Sequence, residues 1–159
     1  MEKVRILWYT IWVKSSRTGK SGGSMGTIFE KMKDRLKRNA FANHNFLELE
    51  AVEPDRAVVR LTIRPESKNP GGMVHGGAMF TMADNATGVA VHTDGRSYVT
   101  QNGSLHFIAN QPEGTIRATA QVRHRGKKTA LAVVDITNEG GKLLATGEYT
   151  FFCVGETQK

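Results

Sequence analysis

Apolar and polar positions alternate with a period of two between residues 47 and 63. Leu47, Leu49 and Ala51 alternate with Glu48 and Glu50. After the turn Glu53-Pro54-Asp55, Ala57, Val59, Leu61 and Ile63 alternate with Arg56, Arg60, Thr62 and Arg64. This pattern predicts an antiparallel hairpin with one wet face. The rhythm then changes. Asn69-Pro70-Gly71-Gly72 is a turn, and a helical stretch runs from about Gly76 to Val91. Ala78, Met79, Phe80, Met82, Ala83, Ala86, Val89, Ala90 and Val91 make it apolar on every face, which predicts a helix buried in the core. At about 16 residues it is too short to span a bilayer. Period two returns in four segments: 98–108, the least regular; 115–123, with Ile116, Ala118, Ala120 and Val122 inward; 129–137, with Ala130, Ala132, Val134 and Ile136 inward; and 142–154. Upstream, residues 26–41 form a short basic amphipathic pattern with Ile28, Phe29, Met32, Leu36 and Phe41 as anchors. It reads as a helix packed on the domain rather than one lying on a membrane.

The predicted order is therefore helix, two strands, buried helix, four strands. Short connections make the sheet antiparallel, and its alanine-rich inner face lets it curve closely around the central helix. The class is α+β in one domain, as 159 residues allow. The formal charge is +7, but its distribution argues against a nucleic-acid partner. Residues 1–40 hold 10 Lys/Arg against 3 Asp/Glu, whereas residues 41–159 hold 12 of each. A nucleic-acid domain carries its charge on the folded face. Residues 1–24 read as a leader and flexible linker, residues 25–159 as the domain, and Met25 as a candidate start of translation. The single Cys153 excludes an internal disulfide and fits a reducing cytoplasm. His75, His92, His106 and His124 lack metal-ligand spacing, so neither metal nor cofactor is expected.

Two features carry candidate chemistry. Asp84 is a carboxylate inside the apolar helix, and burial of a charge is costly without a partner. It reads either as a functional group or as a residue at a subunit boundary satisfied by a neighbouring hydroxyl. Gly76 and Gly77 stand where the helix begins, and its first N–H groups are unpaired and partly positive there. A carboxylate and an amide-lined anion hole are two parts of an acyl-transfer site.

With NPGGMVHGGAMFTMADNATG between the hairpin and the four strands, residues 40–154 resemble the hotdog-fold acyl-CoA thioesterases, and look most similar to the PaaI-like (phenylacetate-degradation) branch. The resemblance implies hydrolysis of an acyl-CoA thioester. Asp84 matches the catalytic carboxylate, as nucleophile or general base, and Gly76 the residue whose N–H polarises the carbonyl. Asn69 and His75 match residues that position the thioester or water, and Thr100 a Ser/Thr that orients water. Arg125, Lys127 and Lys128 match a basic turn that meets CoA phosphates. Relatives often carry Pro where this chain has Asn110, which leaves that loop's conformation open. Gly76 and Asp84 lie about 12 Å apart along one helix, too far to share one carbonyl, so the expected enzyme is a homodimer with composite sites, assembling as a dimer of dimers. Aryl, medium-chain and long-chain acyl groups all remain open. The rival readings are a non-catalytic acyl-CoA binding protein and a hotdog dehydratase or isomerase.

Overall fold

The computed structural model describes residues 24–156. The reading of residues 1–24 as leader and linker lies outside the described residues except at Ser24, which begins a helix. The chain forms α1 (Ser24–Lys37), α2 (Ala40–His44), β1 (Glu48–Glu53), β2 (Arg56–Thr62), α3 (Gly76–Val91), β3 (Arg96–Phe107), β4 (Thr115–Arg125), β5 (Thr129–Asn138) and β6 (Leu143–Glu156). The six strands make one antiparallel sheet in the order β1-β2-β4-β5-β6-β3. The link from β2 to β3 runs through α3, which crosses the inner face and carries the chain to the far edge. This is the α+β hotdog architecture expected from the sequence.

The core is built where the period-two residues meet α3. Ala57, Val59 and Leu61 of β2, Ile116, Ala118 and Ala120 of β4, and Ala132, Val134 and Ile136 of β5 are buried, as are Met79, Met82, Ala83, Ala86 and Ala90 of α3. Alanine on the strands lets the helix backbone sit close to the sheet, leaving methionine to fill the residual space.

Four details differ from the sequence reading. The segment 26–41 is two helices, because the Asn39 side chain accepts from the N–H groups of Phe41 and Ala42 and restarts the chain as α2. Phe41 is consequently exposed, and Ala42 and Leu47 take the core positions. A bulge between Leu49 and Ala51 turns Val52 inward instead of Ala51. Most important, α3 is not covered on every side. Gly77, Phe80, Thr81, Asp84, Asn85 and Gly88 follow the i, i+3, i+4 rhythm and form one stripe that remains partly open. Apart from Phe80, small and polar residues line that stripe, so hydropathy summed around the helix hides it.

Strand β3 explains its irregular pattern by its position. It is an edge strand, and among its 12 residues only Tyr98 is buried. With both sides open, nothing enforces alternation.

Candidate active site

The start of α3 is set by its own sequence. The His75 ring caps the helix: its Nδ1 accepts from the Gly77 N–H at 2.8 Å, and the His75 carbonyl accepts from Ala78 and Met79. The Gly76 N–H has no hydrogen-bond partner among the described residues. A donor at a helix N-terminus is therefore left open. The lead-in is braced on both sides. The Asn69 side-chain oxygen accepts from the Met73 N–H, closing the turn. Asn110 donates from Nδ2 to the Val74 carbonyl at 3.1 Å, which fixes this loop against the lead-in. Phe107, at the end of β3, lies over Gly76: a Cβ there would stand 3.3 Å from its ring. Only glycine leaves the ring and the N–H face this close.

Two turns further along α3, Asp84 sits in the partly open stripe. Its Oδ1 accepts from the Thr100 hydroxyl at 2.8 Å, joining α3 to the edge strand β3. Burial pushes the Asp84 pKa above the ordinary carboxylate value, and the Thr100 hydrogen bond pulls it partly back. The neighbouring hydroxyl and the open boundary, offered as alternatives to chemistry, are both present, and neither removes the second carboxylate oxygen from use. Beneath the stripe Tyr149 packs edge-to-face on Phe80, with centroids 5.5 Å apart. Burial and the charge of Asp84 hold its phenol neutral.

Asp84 and Thr100 line a cavity of about 160 Å³ between α1, α3 and β3. Arg35 and Asn39 supply its other wall. The sequence reading did not single out either residue, because a basic amphipathic helix looks the same whether its polar face meets water or a cavity.

The basic turn divides. Lys127 and Lys128 are exposed. Arg125 is engaged: it donates to Asp94 at 2.7 Å, to the Tyr98 hydroxyl at 2.8 Å, to the Val91 carbonyl at 2.9 Å, and to Asp55 through two nitrogens. Arg125, expected together with the two lysines, thus differs from them in its surroundings, because its guanidinium is engaged at the C-terminal end of α3. Among the described residues no cluster of His, Cys, Asp and Glu has the arrangement of a metal site, and no described helix is long and apolar enough to cross a membrane.

The chain is 32% identical over 100 residues to the acyl-coenzyme A thioesterase PaaI of Escherichia coli, covering 62% of this chain and 71% of that protein. The solved structure of E. coli PaaI, from the phenylacetic acid degradation operon, superposes with a TM-score of 0.79 at 26% identity, covering 85% of this chain and 99% of that one. A hypothetical thioesterase from Streptococcus pneumoniae, solved with coenzyme A, matches with a TM-score of 0.73 at 25% identity, covering 79% and 98%. That protein has also been solved as alanine variants at a Thr and an Asp 16 positions apart, the spacing of Asp84 and Thr100. The family model of the thioesterase superfamily matches residues 71–145, from the turn before α3 to β6. With its fold, its helix and its relatives in agreement, this chain belongs to the thioesterase superfamily.

Proposed function

We propose that this protein is an acyl-CoA thioesterase that works as a homodimer, with Asp84 of one protomer acting on a thioester held at Gly76 of the other. The observation that carries this reading is the Asp84–Thr100 pair: a desolvated carboxylate, oriented by a hydroxyl, opening into a cavity beside an uncovered helix stripe. The family relationship supports the same chemistry, and the spacing of the altered residues in the S. pneumoniae protein supports the same pair.

In the proposed reaction the thioester oxygen lies at the start of α3, where the open Gly76 N–H and the helix dipole stabilise the developing oxyanion. His75, by capping Gly77, holds that end of the helix in shape. Asp84 either attacks the carbonyl carbon or takes a proton from the attacking water. The C–S bond breaks, and CoA leaves as the thiolate and is protonated. Where water attacks, the acid is formed directly; where Asp84 attacks, a mixed anhydride forms on Asp84 that a water molecule then hydrolyses to the acid and the free carboxylate. Thr100 orients the carboxylate. Eight residues of α-helix separate Gly76 from Asp84 by about 12 Å, so one protomer cannot supply both groups to one carbonyl. The open stripe of α3 and the exposed edge β3 are the surfaces a second copy would cover. Lys127 and Lys128 are assigned to the CoA phosphates, and Arg125 to holding their turn.

The test is release of free thiol from a panel of acyl-CoA esters by the wild type and Asp84→Asn. The wild type turns over at least one ester, and the variant, still folded and dimeric, loses at least about 10³-fold in kcat, as loss of a group acting on the reacting atoms does. An Asp84→Asn protein that keeps its activity refutes the assignment. A wild type that binds acyl-CoA and releases no thiol favours the non-catalytic reading.

A further inference from the structure

The polar groups lining the cavity beside Asp84 have nearly all been satisfied by one another. Asn39 donates to Asn85 at 3.0 Å, its oxygen caps α2, and Asn85 donates to the Thr81 carbonyl. The Thr100 hydroxyl is committed to Asp84, and the Tyr98 hydroxyl to Asp94. His92 is fully used. Its Nε2 faces two donors, the Arg35 guanidinium at 2.8 Å and the Tyr98 N–H at 3.1 Å, so that nitrogen carries no proton. Its Nδ1–H donates to the Gly88 carbonyl at 2.6 Å. The ring is neutral and supplies no charge to balance the arginine. Burial, with the Arg35 and Arg125 charges, keeps its pKa below the ordinary histidine value despite the Gly88 bond and Asp94.

Arg35 is the exception. A guanidinium has five N–H donors, and the bond to His92 is its only hydrogen bond among the described residues, its other charged neighbour being the like-charged Arg38. Among the described residues no carboxylate pairs with it, although Asp84 lines the same cavity. Arg35 is exposed at this wall and, lacking such a partner, presents an unpaired cation to the space next to the proposed reacting centre, where an entering carboxylate would meet it. We propose that Arg35 is a specificity residue, and that the cavity takes an acyl group whose far end carries a carboxylate: the mono-CoA thioester of a dicarboxylic acid. Planar, bidentate pairing with a carboxylate is what a guanidinium does best. The volume, about 160 Å³, compares with the roughly 150 Å³ of a cavity that holds one benzene ring, so an acyl group of about six carbons is the matching length. The inference rests on the thioesterase reading for the position of the thioester.

The experiment compares adipoyl-CoA with hexanoyl-CoA, equal in carbon number and differing in the terminal group, on the wild type, Arg35→Met and Arg35→Lys. The wild type should favour adipoyl-CoA by about tenfold or more in kcat/KM, the ratio expected of a hydrogen bond to a charged group. Arg35→Met should erase that preference while hexanoyl-CoA turnover changes by less than about threefold, and Arg35→Lys should keep part of it. A residue that merely ties α1 to His92 would lower both substrates together and leave the ratio alone. A wild type that prefers hexanoyl-CoA, or a preference that survives Arg35→Met, overturns the inference. Should Arg35→Met not fold, the wild-type ratio and its partial loss in Arg35→Lys decide. If neither ester is cleaved, the failure belongs to the catalytic reading. Calorimetric binding of the two esters then decides the arginine's role by the same ratio.

Discussion

Replacing Arg125 by methionine separates two roles that a basic turn can play. In this structure its side chain is only 18% exposed and ties three elements together: the β1–β2 turn at Asp55, the end of α3 at Val91, and Asp94 after it. Methionine keeps most of the volume and removes every donor. Asp94 retains Arg96 at 2.7 Å and the Tyr98 hydroxyl at 2.9 Å, whereas Asp55 loses its side chain's partner and the Val91 carbonyl its cap. Breaking a buried pair costs about 3–5 kcal/mol. Because Asp94 stays partnered and Asp55 is half exposed, the low end, about 3 kcal/mol, applies here. For a domain of this size that is a fall of about 10 °C in melting temperature. The loss should narrow in acid. Burial alone would raise the Asp94 pKa, but its hydrogen bonds to Arg96 and Tyr98 and the Arg125 charge outweigh it and hold the pKa below the ordinary value. The stability it contributes is therefore present at neutral pH and disappears as pH falls through that lowered pKa. Differential scanning calorimetry at two pH values, with KM for one CoA ester at permissive temperature, makes the measurement. A variant that melts within about 2 °C of the wild type while its KM for CoA esters rises would show a phosphate ligand and refute the structural role.

The remaining predictions concern the site and the edge strand. Thr100→Val removes the hydrogen bond that favours ionised Asp84 and leaves the burial that opposes it, so the acid limb of kcat/KM should move to higher pH; an unmoved limb contradicts this. Because the folded pKa of Asp84 is raised, its ionised form destabilises the fold above that pKa and not below the unfolded value. Asp84→Asn should therefore melt higher than the wild type at neutral pH, with the gap closing in acid, and calorimetry across pH checks the sign. Lys127→Ala with Lys128→Ala should raise KM for CoA esters severalfold and leave esters of a nucleotide-free pantetheine thiol unchanged; equal effects on both would remove the lysines from the phosphate site. Gly147→Ala drives a Cβ into the Ser104 carbonyl oxygen, so β3 must part from β6. A loss of at least about 2 kcal/mol is expected, and an unchanged melting temperature would show that the edge yields freely.

What the sequence by itself determined is whatever local periodicity encodes. The alternation of Ala57 to Ile63, of Ile116 to Val122 and of Ala130 to Ile136 set the strands and their inner faces, and the dense apolar run from Ala78 to Val91 set the central helix. Asp84 stood out because a carboxylate in such a run is costly and therefore conspicuous. Asn69 and Gly76 stood out because a turn and a helix start depend on neighbours within a few residues, whereas His75 was marked only by the family resemblance. The tertiary structure alone decided the rest. It put β3 at an edge, which explains why residues 98–108 lack a clean period, and it left open the stripe from Gly77 to Gly88 that composition had hidden. It separated Arg125 from Lys127 and Lys128, neighbours in sequence with different partners in space. It also placed Arg35, one cation among many in a basic helix, against His92 and beside Asp84. The physical reason is common to all of these. A side chain's period and propensity are local properties, but whether a charge is solvated, paired or facing a cavity depends on groups about 30 to 70 positions away, and no local pattern records them.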